Sequence, residues 1–164
     1  MPVETLRFFR RGGLRHLQAL QVIDGPVEAV FPFFAEAENL ERLTPPWLHF
    51  QILTERPIFM GSGTRIAYRL RLLGLPLRWE TLISRWDPPR AFVDEQAKGP
   101  YALWIHTHTF TAVEGGTLME DHVQYRLPFG LVGELAHPVV RRWLRRIFLF
   151  RRREVDRFFS GEGP

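Results

Sequence analysis

From Leu131 to Phe159 apolar residues recur at helical spacing: Leu135, Val139, Val140, Trp143, Leu144, Ile147, Phe148, Val155 and Phe158. Arg141, Arg142, Arg145, Arg146, Arg151, Arg152, Arg153 and Arg157 lie between them. This pattern predicts one long amphipathic helix with a cationic outer face. Upstream, from Trp47 to Leu127, the period changes from helix to strand. Thr64 to Leu72 alternates, with Ile66, Tyr68, Leu70 and Leu72 on one face and Arg65, Arg69 and Arg71 on the other. Turn residues then divide the chain into strands at about Leu77 to Trp86, Ala91 to Ala97, Ala102 to Val113 and Thr117 to Leu127. A first strand is predicted from His16 to Ile23 and a second from Leu48 to Thr54. Between them, Pro26 suits the first turn of a short helix with Val27, Val30, Phe31 and Phe34 as its stripe. Another short helix runs from about Ala37 to Leu43, and Thr44-Pro45-Pro46 stops it. The order is strand, two helices, about six antiparallel strands and a long helix.

The Gly115-Gly116 pair marks a hairpin. With these two as the loop, Glu114 pairs with Thr117. Phe110 then faces Asp121, His108 faces Val123, His106 faces Tyr125 and Trp104 faces Leu127. Opposed residues share a face. One face therefore carries Trp104, His106, His108, Phe110, Asp121 and Tyr125, and the other carries Thr107, Thr109, Glu120, His122 and Gln124. The first is richer in aromatics and is predicted to point inward, with Asp121 diagonal to His108. On the preceding strand Asp94 and Gln96 share a face with Phe92 and are placed inward. Trp79, with Leu77, Thr81 and Ile83, and Tyr68 add aromatic wall.

Composition narrows the setting. A chain of 164 residues is read as one domain, residues 1–164. Leu6, Phe8 and Phe9 are interrupted by Arg7, Arg10 and Arg11, which does not read as a signal peptide. No apolar run reaches the roughly 18 residues of a membrane helix. With no cysteine there is no disulfide or thiolate site, and a cytoplasmic location is the default. The net charge of +4 is almost all arginine, since Lys98 is the only lysine. The Arg-rich helix face is either a solvated surface or a peripheral contact for anionic lipid or an acidic partner. No nucleic-acid motif is present.

Several segments carry a likeness: Asn39-Leu40, Leu43-Thr44-Pro45-Pro46-Trp47-Leu48, Phe92-Val93-Asp94-Glu95-Gln96, Gly99-Pro100-Tyr101 and Trp104-x-His106-x-His108-x-Phe110. With the element order, they make the chain resemble the SRPBCC superfamily, which includes START domains, birch-pollen-allergen-like and polyketide cyclase-like proteins. Within it the chain is similar to a bacterial ligand-binding subgroup. The resemblance implies an α+β helix-grip fold, a curved antiparallel sheet wrapped around the long C-terminal helix. It also implies a cavity for a small to medium hydrophobic ligand, such as a lipid, polyketide, aromatic or isoprenoid.

The expected lining is Tyr68, Trp79, Asp94, Gln96, Trp104, His106, His108, Phe110, Asp121 and Tyr125, with Val140 and Leu144 from the helix. A cavity of roughly 300–1,000 Å³ is typical of such sites. His106, His108 and Asp121 either satisfy one another in the core, orient a ligand's polar end, or act as acid and base in a cyclase, dehydratase or hydrolase. A His/His/carboxylate set is also the donor type of zinc and iron sites. Helix-grip proteins are mostly metal-free, however, and the expectation is no metal and no cofactor. The protein is expected to be a monomer or dimer.

Overall fold

The computed structural model describes residues 5–161. Strands β1 (Thr5–Arg11) and β2 (Leu14–Ile23) lead into helices α1 (Val27–Ala35) and α2 (Asn39–Leu43) and a 3₁₀ turn at Pro46–Leu48. Strands β3 (Gln51–Ile52), β4 (Arg65–Leu72), β5 (Leu75–Asp87), β6 (Ala91–Lys98), β7 (Leu103–Val113) and β8 (Gly116–Arg126) follow, then helix α3 (Leu131–Phe159). The strands form one curved sheet in the order β1-β2-β8-β7-β6-β5-β4-β3, with every neighbouring pair antiparallel. Helix α3 packs on its inner face. Leu144 and Phe148 bury against Leu17, Val123 and Tyr125, and Val155 against Ile23, Met119 and Phe110. This is the helix-grip architecture.

Three local expectations change. Strand β1 is an addition, because its arginines break the apolar run in the sequence. Leu6 and Phe8 nonetheless alternate, and they pack beside Leu17 and Tyr125. Phe9, on the other face, stacks on His16 at 4.8 Å. A charged edge strand of this kind resists pairing with another chain. The strand predicted at Leu48 to Thr54 contracts to Gln51–Ile52. The 3₁₀ turn absorbs Leu48, and His49 takes a left-handed conformation at φ 46°.

The third change is the hairpin register. The loop is Glu114-Gly115, Val113 pairs with Gly116, and Thr117 pairs with Ala112. Consequently His108 faces Asp121 directly, Phe110 faces Met119, His106 faces Val123 and Trp104 faces Tyr125. Gly116 belongs to the strand because β2 crowds it. A Cβ there would lie 2.1 Å from the carbonyl oxygen of Ile23, and its φ is +144°. The slip is two residues, so each side chain keeps its predicted face.

Candidate functional site

Alternation along β4 and β5 turns Ile66, Tyr68, Leu70 and Leu72, and Leu77, Trp79, Thr81 and Ile83, into one wall of a cavity of about 210 Å³. Leu40 and Leu43 of α2 and Leu144, Ile147 and Phe148 of α3 close it opposite. The volume falls below the expected range, since the helix contributes large side chains to the space. The wall's polar tips are satisfied within it. Trp79 Nε1–H donates to Thr81 Oγ1 at 3.1 Å, and the Tyr68 hydroxyl lies 3.1 Å from the same oxygen. Burial pushes the Tyr68 phenol far up, so it stays neutral. Trp79 and Trp104 meet edge to face at 5.5 Å, and Tyr101 tilts against Trp104 at 4.8 Å. What the wall offers a ligand is therefore aromatic surface.

One part of the lining is different. Asp94 on β6 and His106 and His108 on β7 face the cavity, joined by Arg151 of α3. Asp121 on β8 completes the cluster behind the histidines. His106 Nε2 and His108 Nδ1 lie 2.8 and 3.0 Å from the same oxygen, Asp121 Oδ1. On their other sides, His108 Nε2 is 2.6 Å and His106 Nδ1 3.7 Å from Asp94 Oδ2. The two imidazoles lie over each other with centroids 3.8 Å apart. Arg151 Nε stands 3.5 Å from Asp121 Oδ2, with its guanidinium over the Phe34 ring.

The electrostatics follow from these distances. Burial opposes charge on Asp121, but Arg151 and the two imidazoles outweigh it and hold the carboxyl well below the usual range. Asp94 is likewise lowered against burial by His106, His108 and Arg151. Burial also opposes charge on His108, yet hydrogen bonds to Asp121 and Asp94 raise its pKa. His106 is lowered, by burial and by the adjacent His108. Each carboxylate thus faces an imidazole N–H or the guanidinium, which is how buried charge is tolerated.

A second cavity of about 270 Å³ lies on the far side, lined by Gln21, Met119, Asp121, Arg145 and Arg152. Phe148 and Arg151 line both cavities.

Tyr68, Trp79, Asp94, Trp104, His106, His108 and Leu144 border the first cavity; the other named candidates do not. Asp121 borders the second. Phe110 sits in the core with Phe31, Phe34 and Phe92, opposite Met119. Tyr125 is buried against Leu17 and Leu144, and its hydroxyl meets His137 Nε2 at 2.9 Å. Val140 packs on that same cluster. Gln96 is a turn staple: its amide donates to the Tyr101 carbonyl at 2.8 Å and accepts from the Tyr101 amide at 3.1 Å. Arg151 is the residue that sequence reasoning misses. Its charge groups it with the outer arginines, although it falls on the buried row Leu144, Phe148, Val155 at helical spacing.

Residues 15–158 match the family model described as polyketide cyclase / dehydrase and lipid transport. No curated protein matches the chain. Among solved structures, TTHA0849 from Thermus thermophilus is similar at a TM-score of 0.71 and 17% identity, covering 91% of this chain and 99% of that one. The Zhui aromatase/cyclase from Streptomyces sp. R1128 has a TM-score of 0.68 at 16% identity, covering 87% and 91%. Major latex-like protein 151 from Panax ginseng has a TM-score of 0.62 at 11% identity, covering 88% and 96%. At these identities the likeness is one of fold.

Proposed function

Because the chain belongs to the polyketide cyclase / dehydrase and lipid transport family, within the SRPBCC superfamily, we propose that it acts as one domain that binds and carries a small hydrophobic ligand between sheet and α3. The observation that carries this reading is the asymmetry of the cavity. Aromatic and aliphatic side chains make most of it, the exposed Glu36 stands with Asn39 and Thr44 at another part of the lining, and the buried and half-buried ionisable groups Asp94, His106, His108 and Arg151 gather at one place. An elongated or fused-ring molecule with one polar end suits that arrangement: its apolar body lies on Tyr68, Trp79 and Trp104, and its oxygen meets Asp94, His108 and Arg151. Lipid, polyketide, aromatic and isoprenoid molecules share this chemistry.

The test is native mass spectrometry of gently purified protein, followed by titration with a fluorescent apolar probe. Trp104→Ala is expected to weaken probe binding by about 10-fold or more, from loss of roughly 1.5–3 kcal/mol of apolar contact. Unchanged affinity for a probe displaced by the native ligand would remove Trp104 from the site. A second reading, a cyclase- or dehydratase-type enzyme, is favoured by His108, held between two carboxylates at the cavity surface. Turnover of the co-purified ligand, abolished in His108→Gln, would decide for it.

We further propose a peripheral contact with anionic membrane. No helix among the described residues is long and apolar enough to cross one. Yet Phe129, Leu131 and Leu135 are 84%, 84% and 82% exposed at the start of α3. Arg141, Arg142, Arg145 and Arg146 follow on exposed positions within the next turns. An apolar edge beside clustered arginine fits the boundary of an anionic bilayer. The protein is expected to sediment with phosphatidylglycerol-containing vesicles but not with pure phosphatidylcholine, and Leu131→Ser/Leu135→Ser is expected to abolish this. A dimer that the same variant converts to monomer, with no vesicle binding, would assign the patch to self-association instead.

A further inference from the structure

We propose that Asp94, His106 and His108 form a binding site for a divalent transition-metal ion, of the zinc or ferrous type, at the polar side of the ligand cavity. The sequence pattern points to Asp121 as the carboxylate beside the histidines, and the fold resemblance to no metal. The geometry exchanges the two aspartates.

Asp121 Oδ1 lies 2.8 Å from His106 Nε2 and 3.0 Å from His108 Nδ1. An ionised carboxylate only accepts hydrogen bonds, so each of these nitrogens carries a proton. That leaves Nδ1 of His106 with a free lone pair, 3.7 Å from Asp94 Oδ2, while Nε2 of His108, 2.6 Å from the same oxygen, would give up its hydrogen to bind an ion. The ligand atoms of the three residues all lie within 4.8 Å of one another. Nitrogen and oxygen ligands at about 2.0–2.2 Å from zinc stand roughly 3.0–3.4 Å apart in octahedral or tetrahedral sites. Seating an ion thus takes a shift of Asp94 away from His108 and towards His106, together with a rotation of the two imidazoles that draws their ligating nitrogens together.

The surroundings match what metal sites require. A ligating imidazole usually gives its remote N–H to a carboxylate, which fixes the ring and raises its basicity. Here one carboxylate oxygen serves both rings, and Arg151, 3.5 Å from the other oxygen, balances its charge. Without an ion, His106 Nδ1 has no hydrogen-bond partner among the described residues, and 3.7 Å to Asp94 Oδ2 is beyond hydrogen-bond reach. With its proton on Nε2, this nitrogen turns a lone pair toward a carboxylate oxygen at the cavity surface. A cation placed between the two would be held by both.

An ion there would take the place of the hydrogen between His108 Nε2 and Asp94 Oδ2 and bring positive charge to the polar side of the cavity. Three protein ligands also leave positions open, and these face the cavity. The site would therefore select ligands ending in an anionic or strongly polarised oxygen, such as a carboxylate, phenolate or enolisable carbonyl. This last step rests on the ligand-binding reading above; the ion site itself does not.

The experiment is titration of metal-free wild-type protein with Co²⁺, followed by visible absorption, and with Zn²⁺, followed by calorimetry. Mg²⁺ serves as the hard-cation control. One equivalent of Co²⁺ and of Zn²⁺ is expected to bind, with no Mg²⁺ heat. Asp94→Asn and His106→Gln, both near-isosteric, are expected to abolish the cobalt bands. Asp121→Asn is expected to weaken binding about 10–100-fold, as loss of a supporting carboxylate does. No stoichiometric uptake by folded wild type overturns the proposal, as does uptake that survives in both Asp94→Asn and His106→Gln. The apolar-probe titration on the same metal-free protein separates the two readings: probe binding without metal uptake sinks the ion site alone, and absence of probe binding sinks the cavity reading.

Discussion

Metal-free Asp121→Asn is expected to unfold in urea with a stability loss of about 3–5 kcal/mol, the range for breaking one partner out of a buried ion pair. The substitution keeps the shape and removes the charge. Asp121 is 9% exposed at its side chain, and Arg151 and both histidines converge on it. Once it is neutral, Arg151 remains partly buried without its counter-ion, and His108 keeps only Asp94. Adding Arg151→Met is expected to restore part of the loss, because an apolar replacement for both partners removes the stranded charge. A coupling energy between the two positions of about 0.5–3 kcal/mol would express the network in a double-mutant cycle. A loss below about 1 kcal/mol for Asp121→Asn, or strict additivity, would mean that the cluster does not hold together as described.

Phe148→Ala is expected to cost about 3–5 kcal/mol, as large aromatic truncations in cores do. Phe148 is 7% exposed and packs with Leu17, Val123, Tyr125 and Leu144. It also lies 5.8 Å from the His106 ring and borders both cavities. Its removal joins the two spaces, so the variant should accept a bulkier apolar probe than wild type even as its unfolding midpoint falls. Equal size limits in the two proteins would show that Phe148 does not separate them.

The helix-grip fold is legible in the sequence because two periods dominate it. The 3.6-residue stripe of α3 and the two-residue alternation of β4 to β8 each survive small errors of boundary. The facing of the polar residues survives even a wrong hairpin register, since a two-residue slip preserves parity while changing neighbours. It is the neighbours that suffer. The hairpin signal sets Asp121 diagonal to His108 when it is opposite, and brings Phe110 towards a cavity that it does not touch. Crowding at Gly116 by a distant strand decides that register, and no local pattern encodes it. Arg151 is legible in principle, as its position on the Leu144 row outranks its charge. Strand β1 is hidden because its pairing lies with β2 rather than in its own composition. The role of Gln96 in holding the Tyr101 turn depends on a side-chain bond to the backbone, which periodicity does not report.

The sheet order carries one more consequence. Asp94, the two histidines and Asp121 stand on three consecutive interior strands, β6, β7 and β8, each bonded along both sides. The apolar wall stands on β4 and β5, and β4 is bordered outward only by the two residues of β3. On the ligand-binding reading proposed above, the polar cluster is thus set where backbone bonds run on both sides, while the apolar wall borders a nearly open margin. Substitutions at Leu70, Leu72 or Leu77 are then expected to change which apolar probe fits without disturbing the His–Asp contacts. Preference and chemistry are free to diverge independently in this protein.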